Sequence, residues 1–267
     1  MRSRHFLACL TLLTALWIAA PAAAPARGQT VAPALLDQIV ERGVLRVGTT
    51  GDYKPFTYLD AATGRFEGLD IEQAQGLANA LGVKLEIVQT SWPQLAADFS
   101  AGRFDMAIGG VSITLDRAKK GYFSIPYLRE GKTPIARCAD KDKYANISDI
   151  DRPDVRVVVN PGGTNERFAR ANLKSAPVRV FPDNRAIFEE IAEGRADVMM
   201  TDASETRYQS KLHPGVLCAI HPDKPFDFAE KAVWMQRDAA LKGFVDTYLR
   251  LSLESGQFRA LAAKWME

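Results

Sequence analysis

The sequence is poor in the residue types that metal centres and many nucleophilic active sites use. Its 267 residues include 3 histidines and 3 cysteines. None of these has the Cys/His spacing typical of a zinc site, and no Ser/His/Asp constellation stands out. The Gly-x-x-x-x-Gly-Lys-Ser/Thr motif of a phosphate-binding loop is absent as well. We therefore expect neither a metal ion nor an organic cofactor.

Long apolar runs are also missing, except near the start of the chain. The run at residues 6–20 is shorter than the about 20 apolar residues that a membrane span needs. Arg2 and Arg4 precede it, and small residues that suit cleavage follow it up to Gly28. This pattern predicts a signal peptide over residues 1–28 and a secreted mature chain, with a retained N-terminal anchor as the alternative.

The basic character of the chain lies mostly in that first segment. Removing residues 1–28 removes Arg2, Arg4 and Arg27 but no acid, so the formal net charge changes from +2 to −1. No stripe of Lys and Arg interleaved with aromatic residues remains, which argues against nucleic-acid binding. No later run is long enough for a span, so we expect the mature form to have no membrane contact.

Loss of the first segment also leaves two cysteines, Cys138 and Cys218. In the oxidising environment of a secreted protein, an even pair of cysteines favours a disulfide. Two free buried thiols are the alternative.

Strand-like and helix-like patterns alternate along the mature chain, which predicts an α/β fold. The clearest helix is 69–81, whose apolar residues recur at the spacing of one helix face before Gly82 provides a C-cap. Strands are predicted at 44–48, 84–88, 104–108, 155–159, 178–181 and 196–200, and further helices at 35–39, 95–99, 165–173, 186–193 and 241–265, the last broken at Gly256.

Two segments, 131–134 and 224–227, have the composition of crossings between lobes. They predict a first lobe of residues 29–131 plus 226–267 and an inserted second lobe of residues 132–225. A ligand would then lie in the cleft between the lobes, beside the carboxyl ends of strands and the N-termini of helices.

The segment 160–166, Asn-Pro-Gly-Gly-Thr-Asn-Glu, joins a predicted strand to a predicted helix. Free backbone N–H groups and the helix dipole favour an anion at such a junction, which makes Gly163 and Thr164 candidate ligand-binding residues. Glu166 places a carboxyl group beside that position. The helix start lowers its pKa, whereas a dry cleft and a substrate carboxylate raise it. An ordinary glutamate in the first helical turn is the alternative.

Four motifs, at residues 43–50, 66–71, 112–117 and 123–127, resemble the family 3 periplasmic solute-binding proteins. The resemblance implies a two-lobed type II periplasmic-binding-protein fold with a hinged cleft, and a periplasmic location. It also implies that Arg117 binds a ligand carboxylate through two parallel hydrogen bonds, with Ser112 and Thr114 as further donors. A solvated arginine is the alternative.

A second set of motifs, at residues 49–56, 90–93, 122–129, 131–134, 160–166, 199–203 and 225–231, resembles the cyclohexadienyl dehydratases. These enzymes are carbon–oxygen lyases of phenylalanine biosynthesis. The resemblance implies conversion of prephenate to phenylpyruvate and of arogenate to phenylalanine, each with loss of water and carbon dioxide. Hydroxide leaves poorly, so the reaction needs a general acid, for which Glu166 is the candidate.

Further side chains are candidates through the same resemblance. In amino-acid-binding relatives the acid that matches Asp202 pairs with the ligand ammonium group, which arogenate has and prephenate lacks; a helix-capping aspartate is the alternative. Tyr53, Phe56 and Trp92 are candidate contacts for the substrate ring, or else core residues. Lys132 lies on a predicted crossing and faces either the cleft or the surface.

Two other functions use the same residues. A periplasmic amino-acid-binding protein of an ABC transporter would employ Arg117, Thr164 and Asp202, with Glu166 as a mere polar contact. A sensory binding protein is a third alternative. The presence of Glu166 in its motif, together with the segment 131–134, favours the enzyme. The expected partner is a small-molecule substrate, and the sequence specifies no oligomeric state.

Overall fold

The structure, a computed structural model, describes residues 32–266. The predicted signal peptide at residues 1–28 lies outside this part of the chain. Strands and helices alternate through the described residues, as the sequence pattern predicts. None of the helices within residues 32–266 combines the length and the apolar character that a bilayer span requires.

The strands are short, and most pair with strands that are distant in the chain. In chain order they are β1 (Val44–Thr49), β2 (Asp52–Tyr53), β3 (Thr57–Leu59), β4 (Phe66–Glu67), β5 (Lys84–Gln89), β6 (Met106–Ala107), β7 (Tyr122–Phe123), β8 (Leu128–Glu130), β9 (Lys132–Arg137), β10 (Val157–Val159), β11 (Val178–Val180), β12 (Val198–Asp202), β13 (Leu217–Ala219), β14 (Ala229–Lys231) and β15 (Trp234–Met235). The helices are α1 (Leu35–Arg42), α2 (Leu69–Leu81), α3 (Leu95–Ser100), α4 (Leu115–Ala118), α5 (Ile147–Ile150), α6 (Thr164–Asn172), α7 (Ile187–Ala192), α8 (Ala203–Leu212), α9 (Ala239–Glu254) and α10 (Gln257–Met266).

Two five-stranded sheets of the same design form the centres of two lobes. The first has the order β5-β1-β6-β15-β7, and the second has the order β11-β10-β12-β9-β13. In each sheet the first three strands run parallel, and the fourth, β15 or β9, runs antiparallel to both of its neighbours. Parallel strands bring their carboxyl ends to one edge of a sheet, which is where ligands bind in open α/β folds.

The second sheet has apolar clusters on both faces, which explains its continuous hydrophobic strands. β10 consists of three consecutive buried valines. Val157 and Val159 pack into one cluster, while Val158 packs with Ile135 and Met199 into another. Successive strand residues point to opposite faces, so both faces of this strand need apolar side chains.

A two-stranded antiparallel sheet of β8 and β14 connects the lobes. Directly after β8, a Cβ added to Gly131 would lie 2.0 Å from the carbonyl oxygen of Asp227, so only glycine permits this close approach. The predicted crossings at 131–134 and 224–227 thus adjoin the paired strands, although Lys132 already belongs to the second sheet. The exact lobe boundaries stay a prediction.

α2 carries a buried acid that fixes part of the cleft. Asp70 in its first turn is fully buried and accepts hydrogen bonds from the backbone N–H of Gly109 (2.9 Å), the N–H of Gly110 (2.6 Å) and the hydroxyl of Tyr127 (2.6 Å). Burial raises its pKa to about 6 against these hydrogen bonds. The turn after β6, which reaches the cleft, is therefore anchored from inside the first lobe.

Cys138 and Cys218 are joined by a disulfide, with their Cα atoms 4.8 Å apart. Cys138 directly follows β9, and Cys218 lies in the neighbouring strand β13. The disulfide therefore joins two strands of the second sheet that are separated by 80 residues in the chain.

Most predicted elements occur close to their predicted limits. The helix predicted at 69–81 has those bounds, and the C-terminal helix divides around Gly256 into α9 and α10. The strand predicted at 104–108 is shorter, because only Met106 and Ala107 pair with β1. Strand β9 was not predicted at all, although it contributes a central strand to the second sheet.

Candidate active site

A small cavity lies between the lobes, where residues that follow strand ends in both sheets meet. Asn160 follows β10 and Asp202 ends β12, whereas Gly110 lies in the turn after β6. The cavity is lined by Tyr53, Trp92, Gly110, Ser112, Arg117, Asn160, Gly163, Thr164, Asn165 and Asp202. The structure thus brings together Arg117, Ser112, Gly163, Thr164, Asp202, Tyr53 and Trp92 of the residues that the sequence predicts.

The cavity is nearly closed in this structure. It measures about 10 Å³, on a scale where one water molecule requires about 10–15 Å³. A Cβ added to Gly162 would lie 2.7 Å from Cα of Pro93 in the other lobe. Asn184 Nδ2 also donates across the cleft to the carbonyl oxygen of Asp52 at 2.9 Å. A ligand with a six-membered ring enters only if the lobes separate or the lining side chains move.

Arg117 is a buried cation on the cavity wall. Its guanidinium Nη1 donates to the carbonyl oxygen of Ser112 at 2.7 Å, and the residue is 8% exposed. Among the described residues, no carboxylate forms an ion pair with it. Burial and the charge of Arg167 lower the pKa of Arg117 to about 10, which leaves it protonated at neutral pH. The guanidinium therefore offers an unpaired positive charge to an anionic ligand.

Thr114 does not line the cavity, although the sequence suggested it as a donor to the ligand. It is the N-cap of α4, and its Oγ1 accepts from the backbone N–H of Arg117 at 3.3 Å. Its contribution in this structure is to begin the short helix that carries Arg117.

Both carboxylate oxygens of Asp202 are occupied. Oδ1 accepts from Lys132 Nζ at 2.6 Å, and Oδ2 accepts from Lys231 Nζ and from the hydroxyl of Tyr53. Burial alone would raise the pKa of Asp202, but the charges of the two lysines outweigh it and hold the pKa well below its usual range. The side chain does not cap α8, so the capping alternative is wrong.

Lys132 reaches the same carboxylate from the start of β9, because the strand register places it opposite Asp202. Its Nζ lies 2.6 Å from Asp202 Oδ1, 2.9 Å from Thr164 Oγ1 and 2.5 Å from Asn165 Oδ1. Burial lowers the pKa of Lys132, and the charge of Asp202 offsets part of that effect. The lysine is 2% exposed, so the alternative of a surface lysine is wrong.

Lys231 belongs to the charge cluster at the cavity, although the sequence did not single it out. It ends β14, is fully buried, and donates to Ser112 Oγ at 2.9 Å as well as to Asp202. Glu130 Oε1 lies 3.5 Å from its Nζ. Burial would lower the pKa of Lys231, but Asp202 and Glu130 raise it above its ordinary value. Its only signal in the sequence was its place in the motif at 225–231.

A buried carboxyl group lies two hydrogen bonds behind the cavity wall. Glu205 of α8 is 1% exposed, and its Oε2 is 2.5 Å from Thr201 Oγ1. The Thr201 hydroxyl donates to Glu205 and accepts from Nδ2 of Asn165, which lines the cavity. Burial, reinforced by the charge of Asp202, raises the pKa of Glu205 well above its ordinary value. The sequence hid this residue, because an acid three positions after Asp202 resembles a capping box.

Glu166 is not among the residues that line the cavity. Its carboxylate accepts from the backbone N–H of Gly162 at 2.8 Å and pairs with Arg170 at 2.8 Å. The hydrogen bond from Gly162 and the charge of Arg170 lower the pKa of Glu166 despite partial burial. Of the two opposing effects expected from the sequence, the one that keeps this group ionised is stronger in this structure.

The candidate aromatic residues differ in their exposure to the cavity. Tyr53 lines it and lies edge-on to Trp92, with ring centroids 5.6 Å apart. Trp92 also lines it, and its Nε1 donates to Asp52 at 3.0 Å. Phe56 is fully buried and stacks on Tyr53 from behind, so it supports the wall without forming it. Among the described residues, no group of three His, Cys, Asp or Glu side chains could hold a metal ion.

The fold and the cleft define a two-lobed binding protein whose ligand cavity lies between the lobes. A sequence profile of the bacterial extracellular solute-binding proteins, family 3, matches residues 45–267. The chain belongs to this family. The predicted family and the predicted two-lobed α/β fold are therefore confirmed.

The similar proteins include both enzymes and ligand-binding proteins. The chain is 55% identical over 232 residues to the cyclohexadienyl dehydratase of Pseudomonas aeruginosa, covering 87% of this chain and 86% of that protein. An ancestral amino-acid-binding protein, described as a precursor of cyclohexadienyl dehydratase, has a TM-score of 0.80 and 36% identity over 87% of this chain and 100% of its own. An ancestral cyclohexadienyl dehydratase has a TM-score of 0.56 and 50% identity over 88% of this chain and 98% of its own.

Proposed function

We propose that this chain is a periplasmic dehydratase that converts prephenate to phenylpyruvate and arogenate to phenylalanine. The similarity to a cyclohexadienyl dehydratase over most of the chain supports this class of reaction. The observation that carries the proposal is that the site holds two groups of complementary use. Arg117 is a buried cation without an acidic partner, and Glu205 is a buried carboxyl group of raised pKa. The first fits a substrate carboxylate, and the second fits a proton donor.

The chemistry requires one external proton for prephenate. The dianion loses carbon dioxide from its ring carboxylate and hydroxide from its ring, and the aromatic product keeps one carboxylate. The hydroxide departs as water only if an acid protonates it. Aromatisation provides much of the driving force, so binding the substrate and supplying that proton are the main tasks of the protein.

Arg117 binds a substrate carboxylate in this proposal. The backbone N–H groups around Gly163 and the hydroxyl groups of Ser112 and Thr164 surround the rest of the anion. Tyr53 and Trp92 provide flat walls for the ring, and closure of the lobes excludes water from it.

Glu205 supplies the proton in the arrangement that the geometry supports best. It is buried, and burial raises its pKa well above the ordinary value, which favours the protonated form that a proton donor requires. The cavity has to widen before a substrate can enter, and in this proposal the same movement brings Glu205, which lies two hydrogen bonds behind the wall, within reach of the substrate. Glu166, the acid predicted from the sequence, is the other candidate donor. To act as the acid, Glu166 would have to break its contacts with Gly162 and Arg170, bind a proton and move into the cavity.

The test is turnover of prephenate by the mature protein and by two matched variants. Formation of phenylpyruvate is followed by its absorbance in alkali. Glu205→Gln keeps the size and the hydrogen-bonding capacity of the side chain but carries no ionisable proton. We expect it to lower kcat by at least about 100-fold while the substrate KM changes little.

Glu166→Gln is the control, since it makes the same chemical change at the competing position. A large loss of kcat in this variant, with full activity in Glu205→Gln, would assign the acid to Glu166 instead. Wild-type protein that forms no product from either prephenate or arogenate above the spontaneous rate would refute the proposed function itself.

A further inference from the structure

We infer that Lys132 is a specificity-determining residue: its ammonium group occupies the place that the ammonium of a free α-amino acid would take beside Asp202. The inference rests on the proposed function and refines it, because it states which small molecules the cleft rejects. The site then accepts ligands that carry two carboxylates, and amino acids with a single carboxylate are excluded by a lysine of the chain itself.

The surroundings of Lys132 Nζ have the form of an ammonium site. Its three acceptors, Asp202 Oδ1, Thr164 Oγ1 and Asn165 Oδ1, lie within 2.5–2.9 Å. An ammonium group has three N–H donors, so these three oxygens, the ammonium cage, can each accept one hydrogen bond from it. All three residues of the cage also line the cavity. Their oxygens would therefore face an entering ligand if the lysine were shorter.

A free α-amino acid needs a counter-charge for its ammonium group as well as a cation for its carboxylate. Arg117 provides the cation. Asp202 is the one carboxylate among the lining residues, and Lys132, Lys231 and Tyr53 already occupy its two oxygens. A bound amino acid would therefore place a further positive charge beside two buried lysines without an oxygen to receive it, which is unfavourable in a poorly solvated site.

The balance of charge around the cavity favours ligands with more negative than positive groups. Lys132 and Lys231 form ion pairs with the acids Asp202 and Glu130. Arg117 is the cation left without an acidic partner. Prephenate, with two carboxylates and no ammonium, suits this excess. Arogenate binds through its two carboxylates, with its ammonium group directed away from Asp202.

The test is direct binding of amino acids to the wild-type protein and to two variants, without any assay of turnover. The standard L-amino acids with a single carboxylate, which leaves out aspartate and glutamate, are screened at about 1 mM by thermal shift, and any that stabilise the protein are titrated by calorimetry. Lys132→Ala empties the cage while Asp202 remains. Lys132→Met removes the same charge but keeps an apolar chain in the space.

We expect no binding to the wild type, and binding to Lys132→Ala that is at least about 10-fold tighter than to Lys132→Met, since a hydrogen-bonded ion pair with Asp202 becomes possible. A wild type that binds a free amino acid overturns the inference whether or not the variants fold. Folded variants that gain no affinity, or that gain it equally, also overturn it.

Turnover of prephenate by the same wild-type preparation separates this inference from the proposed function. A preparation that turns over prephenate and also binds amino acids refutes the role of Lys132 and leaves the enzyme standing. A preparation that does neither refutes the enzyme, whereas the role of Lys132 is then judged by the two variants.

Discussion

Glu205→Gln should make the protein more stable at neutral pH than the wild type. The carboxyl group is buried, and burial raises its pKa well above the ordinary value of 4.5. The unfolded chain releases this proton near pH 4.5, whereas the folded chain retains it. Between these two pKa values the folded state binds more protons than the unfolded state, so stability falls as pH rises. Glutamine has no proton to release and removes this dependence.

The size of the effect follows from the pH interval. Each pH unit between the unfolded and the folded pKa changes the free energy of unfolding by about 1.4 kcal/mol. We compare the free energy of unfolding of Glu205→Gln with that of the wild type. If Glu205 stays protonated up to pH 7, the advantage of the variant grows by about 3 kcal/mol between pH 4.5 and pH 7. Comparing the two proteins cancels the titration of all other groups.

The assay is denaturant-induced unfolding of both proteins at several pH values from 4.5 to 7, with the disulfide intact. Glu166→Gln is the control of opposite sign. The folded pKa of Glu166 is lowered, so its contribution is present above the unfolded pKa and is lost as pH falls. The Glu166→Gln variant should therefore lose stability relative to the wild type as pH rises.

A difference between Glu205→Gln and wild type that stays constant from pH 4.5 to pH 7 would refute the reasoning. It would mean that Glu205 ionises in the folded protein as it does in water. Such a group could not hold a proton for the leaving hydroxyl group at neutral pH, and the assignment of the acid would return to Glu166.

Three other changes test separate parts of the structure. Arg117→Ala should abolish detectable substrate binding in calorimetry while the circular dichroism spectrum stays that of the wild type; unchanged affinity would remove this residue from the site. Replacing Cys138 and Cys218 by alanine should lower the free energy of unfolding by about 4–5 kcal/mol, because the disulfide closes a loop of 80 residues; an unchanged unfolding midpoint would contradict this. Gly162→Ala should lower kcat by about 10-fold or more, since its Cβ would lie 2.7 Å from Pro93 and hinder closure; wild-type kcat would show that closure tolerates the methyl group.

Local sequence signals identified the parts of the fold that local physics controls. The helix at 69–81 was predicted to the residue, because one apolar face and the left-handed Gly82 define it without outside help. β10 was predicted from its run of valines. β9 was missed, since it follows Gly131, contains Pro134 and becomes a strand only by pairing with β12 and β13.

The residues of the candidate site also differ in whether the local sequence identified them. Arg117, Gly163 and Thr164 belong to recognisable motifs and do line the cavity. Glu205 has no local sequence signal, and the only one for Lys231 is its place in the motif at 225–231, because an acid early in a helix and a lysine at a strand end are common on protein surfaces. Burial raises the pKa of Glu205, whereas the charges of Asp202 and Glu130 raise the pKa of Lys231 against its burial, and both effects depend on elements far away in the chain.

The sequence by itself determined the alternation of elements, the family and the arginine that lines the cavity, since these depend on periodicity and on motifs of neighbouring residues. The tertiary structure decided which charges are buried together. Lys132 and Asp202 are 70 residues apart in the chain, yet the antiparallel pairing of β9 with β12 places them opposite each other. A charge acquires its counter-ion and its pKa from neighbours in space, and those neighbours are fixed only when the strands have paired and the lobes have closed.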